Sequence, residues 1–371
     1  MSIFDSWLDL RNRLLASSGF QRWASAFPLT RPIARRRARE LFDIVAGFVY
    51  SQVLFACVRL KLFPTLAQGP LTTEQLAERM GLPLDGATRL LRAAASLRLL
   101  QPCGAERYAL GELGAAMIGN PGIAAMVEHH SMVYADLADP VALLRGESKP
   151  TALSAYWAYA ANTHAAEADD RSIDAYTALM SDSQSLIAGD VLDAYSLKDH
   201  RCLLDVGGGD GTFLVAAAKR WPHLRVVLFD LPAVAERARA RFEREGLGGR
   251  ATAVGGDVLR DPLPEGADIV SLVRVLHDHD DAEALEIIKA ARRALPTGGT
   301  LLVAEPMSGT PGAEPIGDAY FGLYLLAMGS GRPRTPLEIE HMLRVNVFDP
   351  VRLVPTARPI LTRLLVASRM V

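Results

Sequence analysis

Polar residues with catalytic potential follow apolar runs in the second half of the chain, at Asp230, Asp257, His277, Asp278 and Glu305. The runs alternate with helix-like segments, which predicts an α/β fold with a parallel, doubly wound sheet. Ligands of such sheets bind outside the carboxyl ends of the strands. We therefore expect these side chains to surround one ligand, although each of them could instead cap a helix or pair with a cation.

His277 is the expected general base. Neutral imidazole exists near pH 7 because its ordinary pKa is about 6.5, and a hydroxyl is a poor nucleophile until its proton has an acceptor. Glu305, at the end of the next strand, could accept the other ring N–H and stabilise the imidazolium. The stretch HDHDD, residues 277–281, also offers ligands for a divalent metal ion. Alternate residues of a strand point to opposite faces, which disfavours the metal interpretation.

The stretch LLDVGGGDGTF, residues 203–213, predicts where the ligand lies. An apolar strand leads into Gly207, Gly209 and Gly211, and a helix pattern follows. Glycine allows a sharp turn and a close approach of the ligand, and the helix start offers free N–H groups. Thr212 stands where a dinucleotide-binding loop has Gly or Ala, so the spacing disfavours NAD. An ordinary glycine-rich turn is the alternative interpretation.

Two carboxylates extend this expected site. Asp230 lies 23 residues beyond Gly207, a separation at which a carboxylate commonly binds ribose hydroxyls. Asp257, at the end of the third strand, could meet the exocyclic amine of adenine. Together these positions favour an adenosine-containing ligand.

The length of 371 residues suggests two domains. We expect an N-terminal extension (1–40), a helical winged-helix domain for dimerisation and substrate (41–196), and a ligand-binding α/β domain (197–371). Residues 41–66 predict one long apolar helix, buried within a domain or between two chains. Residues 71–110 predict a winged helix. Because such units often bind DNA, a DNA-binding regulator with a degenerate catalytic domain is a rival interpretation.

Composition narrows the classes of protein. The net charge of −2 argues against a protein that grips nucleic acid through its overall field. Cys57, Cys103 and Cys202 lack zinc-like spacing and fit a reducing cytoplasm. The N-terminus, with Asp5 and Asp9, lacks the layout of a secretory signal.

Residues 1–40 contain two tryptophans, Trp7 and Trp23, and a basic cluster at residues 35–39. One interpretation is an extension packed on the body of the protein, with its arginines in solvent. The other is peripheral contact with an anionic membrane surface, at the inner membrane, through amphipathic residues and a basic patch.

The sequence resembles the plant-type small-molecule O-methyltransferases, a family that includes the caffeate and acetylserotonin enzymes. After residue 41 the family's motifs occur in order: LLDVGGGDGTF, LFDLP, GGDV, RVLHDHDD and LLVAEPM. The resemblance implies an enzyme that transfers a methyl group from S-adenosylmethionine (SAM) to a hydroxyl of a hydrophobic small molecule. It also implies an N-terminal winged-helix dimerisation domain, a homodimer and no nucleic-acid partner.

The resemblance carries residue roles with it. His277 matches the base of the HD motif, Asp278 the neighbour that orients substrate or loop, and Glu305 the glutamate after strand five. The matched SAM contacts are Gly207, Gly209, Asp230, Asp257, Val258, Arg274 and Gln184. The side chains expected to line the acceptor pocket are Met328, Tyr324, Met180 and Tyr134.

Two departures from the family pattern stand out. His279 replaces the usual tryptophan after HD, and Pro333 replaces a second glutamate that orients the base. Met328 occupies a place where enzymes acting on phenols often have a polar residue, so the pocket is expected to be more apolar.

Within the family, the chain is similar to carotenoid O-methyltransferases of photosynthetic purple bacteria, the hydroxyneurosporene or demethylspheroidene type. The shared features are the early tryptophan-rich extension, GFVYSQVLFACV and GDAYFGLYLLAMGSGRPRT. This similarity implies a tertiary hydroxyl at the end of a long polyene as the acceptor. A phenol or a bacteriochlorophyll precursor is the alternative acceptor.

Overall fold

The computed structural model divides into two compact units, Met1–Asn120 and Pro121–Val371. The described part of 121–196, which we expected to belong with the N-terminal helices, groups with the sheet-containing unit by its contacts. The substrate role expected for that segment stays a prediction. The residues that the structure describes are 3–104, 106–148, 150–161, 184 and 187–371.

Helices dominate the N-terminal unit, and local capping explains where they start and stop. The Thr72 hydroxyl accepts the N–H of Gln75 at 3.3 Å, and Gln75 Oε1 accepts the N–H of Thr72 at 2.9 Å. This capping box begins one helix, and Gly81, with φ at 64°, ends it. The helices are α1 (Ile3–Ala16), α2 (Ser18–Ala26), α3 (Arg31–Arg59), α4 (Leu62–Leu66), α5 (Thr73–Met80), α6 (Leu84–Ser96) and α7 (Glu112–Ile118).

A small antiparallel sheet completes this unit. Strand β1 precedes the helix pair α5–α6 in the chain, and β2 and β3 follow it. In the sheet the three strands lie in the order β1–β3–β2. The arrangement confirms the expected winged helix. The strands are β1 (Leu71–Thr72), β2 (Leu100–Pro102) and β3 (Arg107–Leu110).

Helix α3 differs from the expected helix at 41–66. It begins ten residues earlier, with Pro32 in its first turn, and breaks at Lys61, whose φ of 51° is left-handed. Its apolar side chains Leu41, Ile44 and Phe48 are exposed within the single chain. The prediction that this part of the helix is buried inside a domain was therefore wrong. The other prediction, burial between two chains, remains. By length and composition alone α3 could also cross a membrane.

The C-terminal unit is a sheet with helices on both faces. Its helices are α8 (Pro121–Asp136), α9 (Pro140–Leu144), α10 (Ala152–Ala161), α11 (Thr212–Arg220), α12 (Pro232–Arg244), α13 (Asp281–Ala294), α14 (Gly322–Met328) and α15 (Pro336–Val345). A 3₁₀ turn (Leu276–Asp278) and a π-helical turn (Ile316–Phe321) supplement them. Its strands are β4 (Cys202–Val206), β5 (Arg225–Asp230), β6 (Ala251–Gly255), β7 (Ile269–Val273), β8 (Thr300–Glu305), β9 (Phe348–Val354) and β10 (Arg363–Arg369).

The strand order is β6–β5–β4–β7–β8–β10–β9, and only β10 runs antiparallel to its neighbours β8 and β9. Alternate residues of β4 enter different cores: Leu204 and Val206 pack on one face, and Leu203 packs on the other. The chain order reverses between β4 and β7, so a crevice opens at their carboxyl ends. The expected doubly wound sheet with a closing hairpin is confirmed.

Strand β7 is shorter than the expected 268–276. Arg274 takes a left-handed φ of 58°, and the 3₁₀ turn follows. The Glu305 carboxylate accepts the N–H groups of Val275 and His277, both at 3.2 Å, in place of sheet partners. His277 consequently lies on a turn beyond the strand.

Candidate active site

A cavity of about 970 Å³ lies within the C-terminal unit at the crevice between β4 and β7. One side is formed by the glycine loop after β4 and by the residues that follow β5 and β6. The other side is formed by 150–154 and 321–330, with the turn that bears His277 between them. The strand-end residues Asp230, Asp257, His277 and Asp278 therefore line one cavity, although they come from different segments of the chain.

The glycine loop is shaped for close approach to a ligand. Gly207 and Gly209 have φ of 68° and 61°, a region that other residues rarely adopt. A Cβ at Gly207 would lie 2.9 Å from a methyl group of Val275, whereas one at Gly209 would meet open space. The backbone thus leaves a cradle beside the cavity.

Asp230 ties this loop to the end of β5. One oxygen of its carboxylate accepts the N–H of Gly209 at 2.8 Å, and the other accepts the N–H of Leu231 at 2.7 Å. Burial raises the pKa of Asp230 to about 6, although these two N–H groups lower it. Each oxygen keeps a lone pair for a ligand hydroxyl.

Asp205 lies beneath the loop. Its Oδ1 accepts the Ser271 hydroxyl at 2.5 Å, and its buried Oδ2 has no hydrogen-bond partner among the described residues. Burial raises the pKa of Asp205 to about 7; Ser271 lowers it, and Asp230 raises it further. Two buried carboxyl groups with raised pKa values mark this region as functional.

The remaining expected cofactor contacts, Asp257, Val258, Arg274 and Gln184, also line the cavity. Asp257 Oδ1 accepts the N–H of Leu259 at 2.9 Å, which fixes the carboxylate at the rim. Gln184 Oε1 is buried and has no partner within the described ranges. An unpartnered buried amide oxygen, a glycine cradle and a strand-end carboxylate fit a ligand with amine and ribose groups.

His277 is 3% exposed and is held between two carboxylates. Its Nε2 lies 3.2 Å from Asp278 Oδ1, and its Nδ1 lies 3.7 Å from Glu305 Oε1. Burial lowers the pKa of His277, but the carboxylates of Asp278 and Glu305 raise it more, so its pKa lies above the ordinary value of 6.5. The 3.7 Å separation exceeds a hydrogen bond. Glu305 therefore holds the His277 backbone directly and its ring only electrostatically.

Phe321 contacts the His277 ring and was missed by the sequence analysis. Its ring meets the His277 ring edge-on, with centroids 5.9 Å apart, and it lines the cavity. Its π-helical turn overlaps the stretch GDAYFGLYLLAMGSGRPRT, but nothing in that stretch set the phenylalanine apart as a contact of His277.

Arg334 was also missed, although it lies beside Pro333 in the stretch noted for its missing glutamate. Its guanidinium donates to the carbonyls of Leu276 at 2.6 Å and His279 at 2.8 Å, and to Asp281 at 2.8 Å. It is 1% exposed. The backbone of the turn that carries His277 is thus held from outside by an arginine, while the ring itself faces Asp278 and Glu305.

Gly331 lets this segment approach the catalytic turn. Its φ is 81°, and a Cβ there would lie 2.1 Å from the carbonyl oxygen of His277. His279 also lines the cavity, and its Nδ1 lies 2.9 Å from Glu283 Oε2. Among the described residues no group of three or more His, Cys, Asp or Glu side chains is arranged to hold a metal ion.

Of the expected acceptor-pocket residues, Tyr324 and Met328 line the cavity. Tyr134 packs edge-on against His130, with centroids 6.1 Å apart, and stands behind the wall. Met180 lies outside the described residues. Phe321, Tyr324 and Met328 thus give this side an aromatic and apolar surface, beside the hydroxyl-bearing residues Thr151, Ser154 and Ser330.

Two histidines of α8 support that wall. His129 Nε2 lies 2.8 Å from the Tyr324 hydroxyl, and His130 Nε2 lies 2.8 Å from the Tyr320 hydroxyl. Burial, with the nearby His130, lowers the pKa of His129 to about 4, and burial lowers the pKa of His130. Both rings are neutral at pH 7 and can accept from a tyrosine hydroxyl.

Comparison with known proteins places this site in a family. Residues 134–349, more than half of the chain, match the family model of the O-methyltransferase domain, and residues 42–120 match the O-methyltransferase dimerisation domain. The chain belongs to the O-methyltransferase family. The resemblance seen in the sequence is thereby confirmed.

Individual relatives are similar over nearly the whole chain. Demethylspheroidene O-methyltransferase of Cereibacter sphaeroides is 44% identical, over 96% of this chain and 94% of that protein. The enzyme of the same name from Rhodobacter capsulatus is 41% identical, over 92% and 85%. The crystal structure of human N-acetylserotonin methyltransferase in complex with SAM has a TM-score of 0.73, at 24% identity, and covers 90% of this chain and 98% of that one. This last likeness shows the shared fold.

The protein is a SAM-dependent O-methyltransferase, as the motifs predicted. Its dimerisation domain supports a homodimer. The DNA-binding regulator and the NAD enzyme are set aside by this membership.

Proposed function

We propose that the enzyme methylates the tertiary hydroxyl of an acyclic carotenoid of the hydroxyneurosporene or demethylspheroidene type. The 44% identity to a demethylspheroidene O-methyltransferase over 96% of the chain is the observation that carries this proposal. The wall formed by Phe321, Tyr324 and Met328 supports it, because a polyene end needs an apolar surface with few polar groups.

The donor occupies the glycine-loop side of the cavity in this proposal. Asp230 binds the ribose hydroxyls and Asp257 the adenine amine. The other contacts are the backbone at Gly207 and Gly209 and the side chains of Val258, Arg274 and Gln184. SAM supplies, when bound, a methyl group activated by a positively charged sulfur.

His277 acts as the general base, assisted by Asp278 and Glu305. Its Nδ1 is fully buried towards Glu305, whereas Asp278, beside Nε2, lines the cavity. Nε2 therefore takes the hydroxyl proton as the acceptor oxygen gains its bond to carbon. An aliphatic alcohol is far less acidic than imidazolium, so the proton leaves late or together with methyl transfer. The two carboxylates stabilise the charged ring that results.

Domain roles follow the same division. Residues 42–120 serve dimerisation, the described helices of 121–161 contribute the acceptor side, and residues 197–371 bind the donor and hold the base.

The enzyme acts in the cytoplasm, with peripheral contact to the inner membrane through residues 1–40, where an apolar acceptor would be dissolved in lipid.

Radiolabelled methyl transfer from SAM tests the acceptor directly. The full-length protein is assayed with detergent-dispersed hydroxylated acyclic carotenoids, with phenols and with tetrapyrroles. We expect label in the carotenoid and at least about a hundredfold lower kcat/KM for the phenols, a discrimination within reach of buried-pocket contacts. Preferential labelling of a phenol or a tetrapyrrole would replace the proposed acceptor while leaving the reaction class intact.

A further inference from the structure

The N-terminal segment combines charge with exposed aromatic surface. Residues 1–40 contain eight arginines and three carboxylates, a net charge of +5, whereas the whole chain has −2. These residues precede the dimerisation domain, which begins at residue 42. The segment is therefore an addition to the family's matched domains, with an electrostatic character of its own.

Aromatic rings cluster on the first two helices. Phe4 and Trp7 of α1 are 66% and 55% exposed, with stacked rings 6.4 Å apart. Trp23 of α2 and Phe27, which follows α2, are 52% and 40% exposed, with stacked rings 5.2 Å apart. Exposed aromatic clusters of this kind mark interaction surfaces, and tryptophan favours the boundary between lipid and water.

Arginines stand on one face of α3 next to these helices. Arg31, Arg35, Arg36 and Arg39 recur at helical spacing and line one shallow concavity. Arg36 pairs with Glu40 at 3.2 Å, with both side chains exposed. Among the described residues, no carboxylate lies within 4 Å of the guanidinium groups of Arg31, Arg35 and Arg39. The charge of this face is therefore largely uncompensated.

A second copy of the chain fits this surface poorly. A two-fold contact of this patch with the same patch of a second copy would place +5 against +5. The exposed apolar residues Leu41, Ile44 and Phe48 of α3, by contrast, lie at the start of the dimerisation domain and suit a contact between copies. The two exposed surfaces thus have different partners.

We propose that residues 4–39 form a docking surface for an anionic lipid bilayer. The aromatic rings of α1 and α2 enter the headgroup boundary, and the α3 arginines bind lipid phosphates. The purpose of docking rests on the proposed function, because a lipid-dissolved acceptor would be collected there. The binding itself does not require any methyl transfer.

Vesicle co-sedimentation of the full-length protein tests the surface. The vesicles contain phosphatidylcholine, with or without phosphatidylglycerol, at low and high salt. We expect salt-sensitive binding to the anionic vesicles alone. The variant R31Q/R35Q/R36Q/R39Q, which removes the arginines of this face, should bind at least about tenfold more weakly. The matched variant R79Q/R92Q/R145Q/R293Q, which removes four exposed arginines elsewhere, should bind as the unchanged protein does.

Further measurements test the contribution of the aromatic side chains and two competing hypotheses, a membrane-spanning α3 and a nucleic-acid partner. Trp7→Ser with Trp23→Ser should also reduce sedimentation, with an unchanged dimer mass in size exclusion. The proposal is overturned by equal binding to neutral vesicles, by full binding of the quadruple variant, or by loss of the dimer in either variant. Sedimentation that resists salt and alkaline carbonate would instead make α3 a membrane span. Binding to RNA without vesicle binding would make the partner a nucleic acid.

The vesicle-binding test and the methyl-transfer test can fail independently of each other. Methyl transfer to a detergent-dispersed carotenoid is measured without vesicles, so its failure contradicts the acceptor alone. Failure of vesicle binding with normal methyl transfer contradicts the docking surface alone.

Discussion

The two sides of the cavity are built differently. The donor side consists of backbone and strand ends: Gly207 and Gly209 follow β4, Asp230 ends the neighbouring parallel strand β5, and the Asp230 carboxylate accepts the N–H of Gly209. The acceptor side consists of side chains from α8, the residues around 151 and the segment 316–331, held by tyrosine–histidine and arginine–carbonyl contacts. The first side uses local geometry. The second uses tertiary packing, which can change with the acceptor.

His277 stands where the two sides meet, so its replacement gives the largest expected effect. His277→Ala should lower kcat by about 10²- to 10⁴-fold, the usual contribution of a general base. SAM affinity, measured by calorimetry, should stay near normal. His223→Ala is the matched control, since that exposed imidazole contacts the carbonyl of His200, lies outside the cavity lining and should leave turnover almost unchanged. Normal turnover in a folded His277→Ala protein would remove His277 from the mechanism.

Arg334 tests whether the acceptor side also positions the base. Arg334→Met leaves the buried carbonyls of Leu276 and His279 without donors and should cost about 3 kcal/mol of folding free energy, seen as a lower Tm. It should also lower kcat more than it raises the KM for SAM. Arg332→Met removes an exposed partner of Asp281 and should cost at most about 1 kcal/mol. Equal Tm losses in the two variants would contradict a special role for the buried arginine.

Asp230 tests the donor side by itself. Asp230→Asn weakens a charge-assisted acceptor and should raise the Kd for SAM by about 10- to 100-fold. With saturating SAM, kcat should recover. Asp193→Asn, at an exposed carboxylate paired with Arg220, should leave the Kd unchanged. If kcat fell and the Kd did not, Asp230 would belong to the chemistry rather than to donor binding.

The pH dependence links the two sides through His277. The base must be neutral to accept a proton, so kcat should rise with pH through the pKa of His277, which lies above 6.5. Asp278→Asn removes a carboxylate that raises this pKa, so the acidic limb of the kcat profile should move to lower pH. An unmoved limb would assign the titration to another group.

The tyrosine–histidine contacts should give the smallest effect. Tyr324→Phe removes the hydroxyl bonded to His129 but keeps the ring on the cavity wall. We expect a KM for the acceptor raised by a few fold, consistent with one lost hydrogen bond of about 1 kcal/mol, and an unchanged Kd for SAM. Tyr320→Phe, which removes the neighbouring hydroxyl outside the cavity lining, is the control. A changed Kd for SAM would show that the two sides are not independent.

Much of the donor side could be predicted before the structure. Apolar alternation predicted the parallel sheet, and Gly207, Asp230 and Asp257 fell at strand ends, because residues that follow parallel strands meet at one edge. The acceptor side could not be predicted in the same way. Phe321 and Arg334 lie on a π-helical turn and a loop, and nothing in their spacing shows which distant segment they contact.

The sequence by itself determined the fold class, the glycine loop and the identity of the expected base, since periodicity and backbone requirements are local properties. Only the tertiary structure decided that β7 ends at Val273, that Glu305 binds the backbone of the catalytic turn, and that Arg334 holds that turn from outside. These outcomes depend on how buried polar groups find partners across the whole unit. A buried carbonyl or N–H group must form a hydrogen bond with whichever group the tertiary packing brings close to it, so its partner cannot be read from the local sequence.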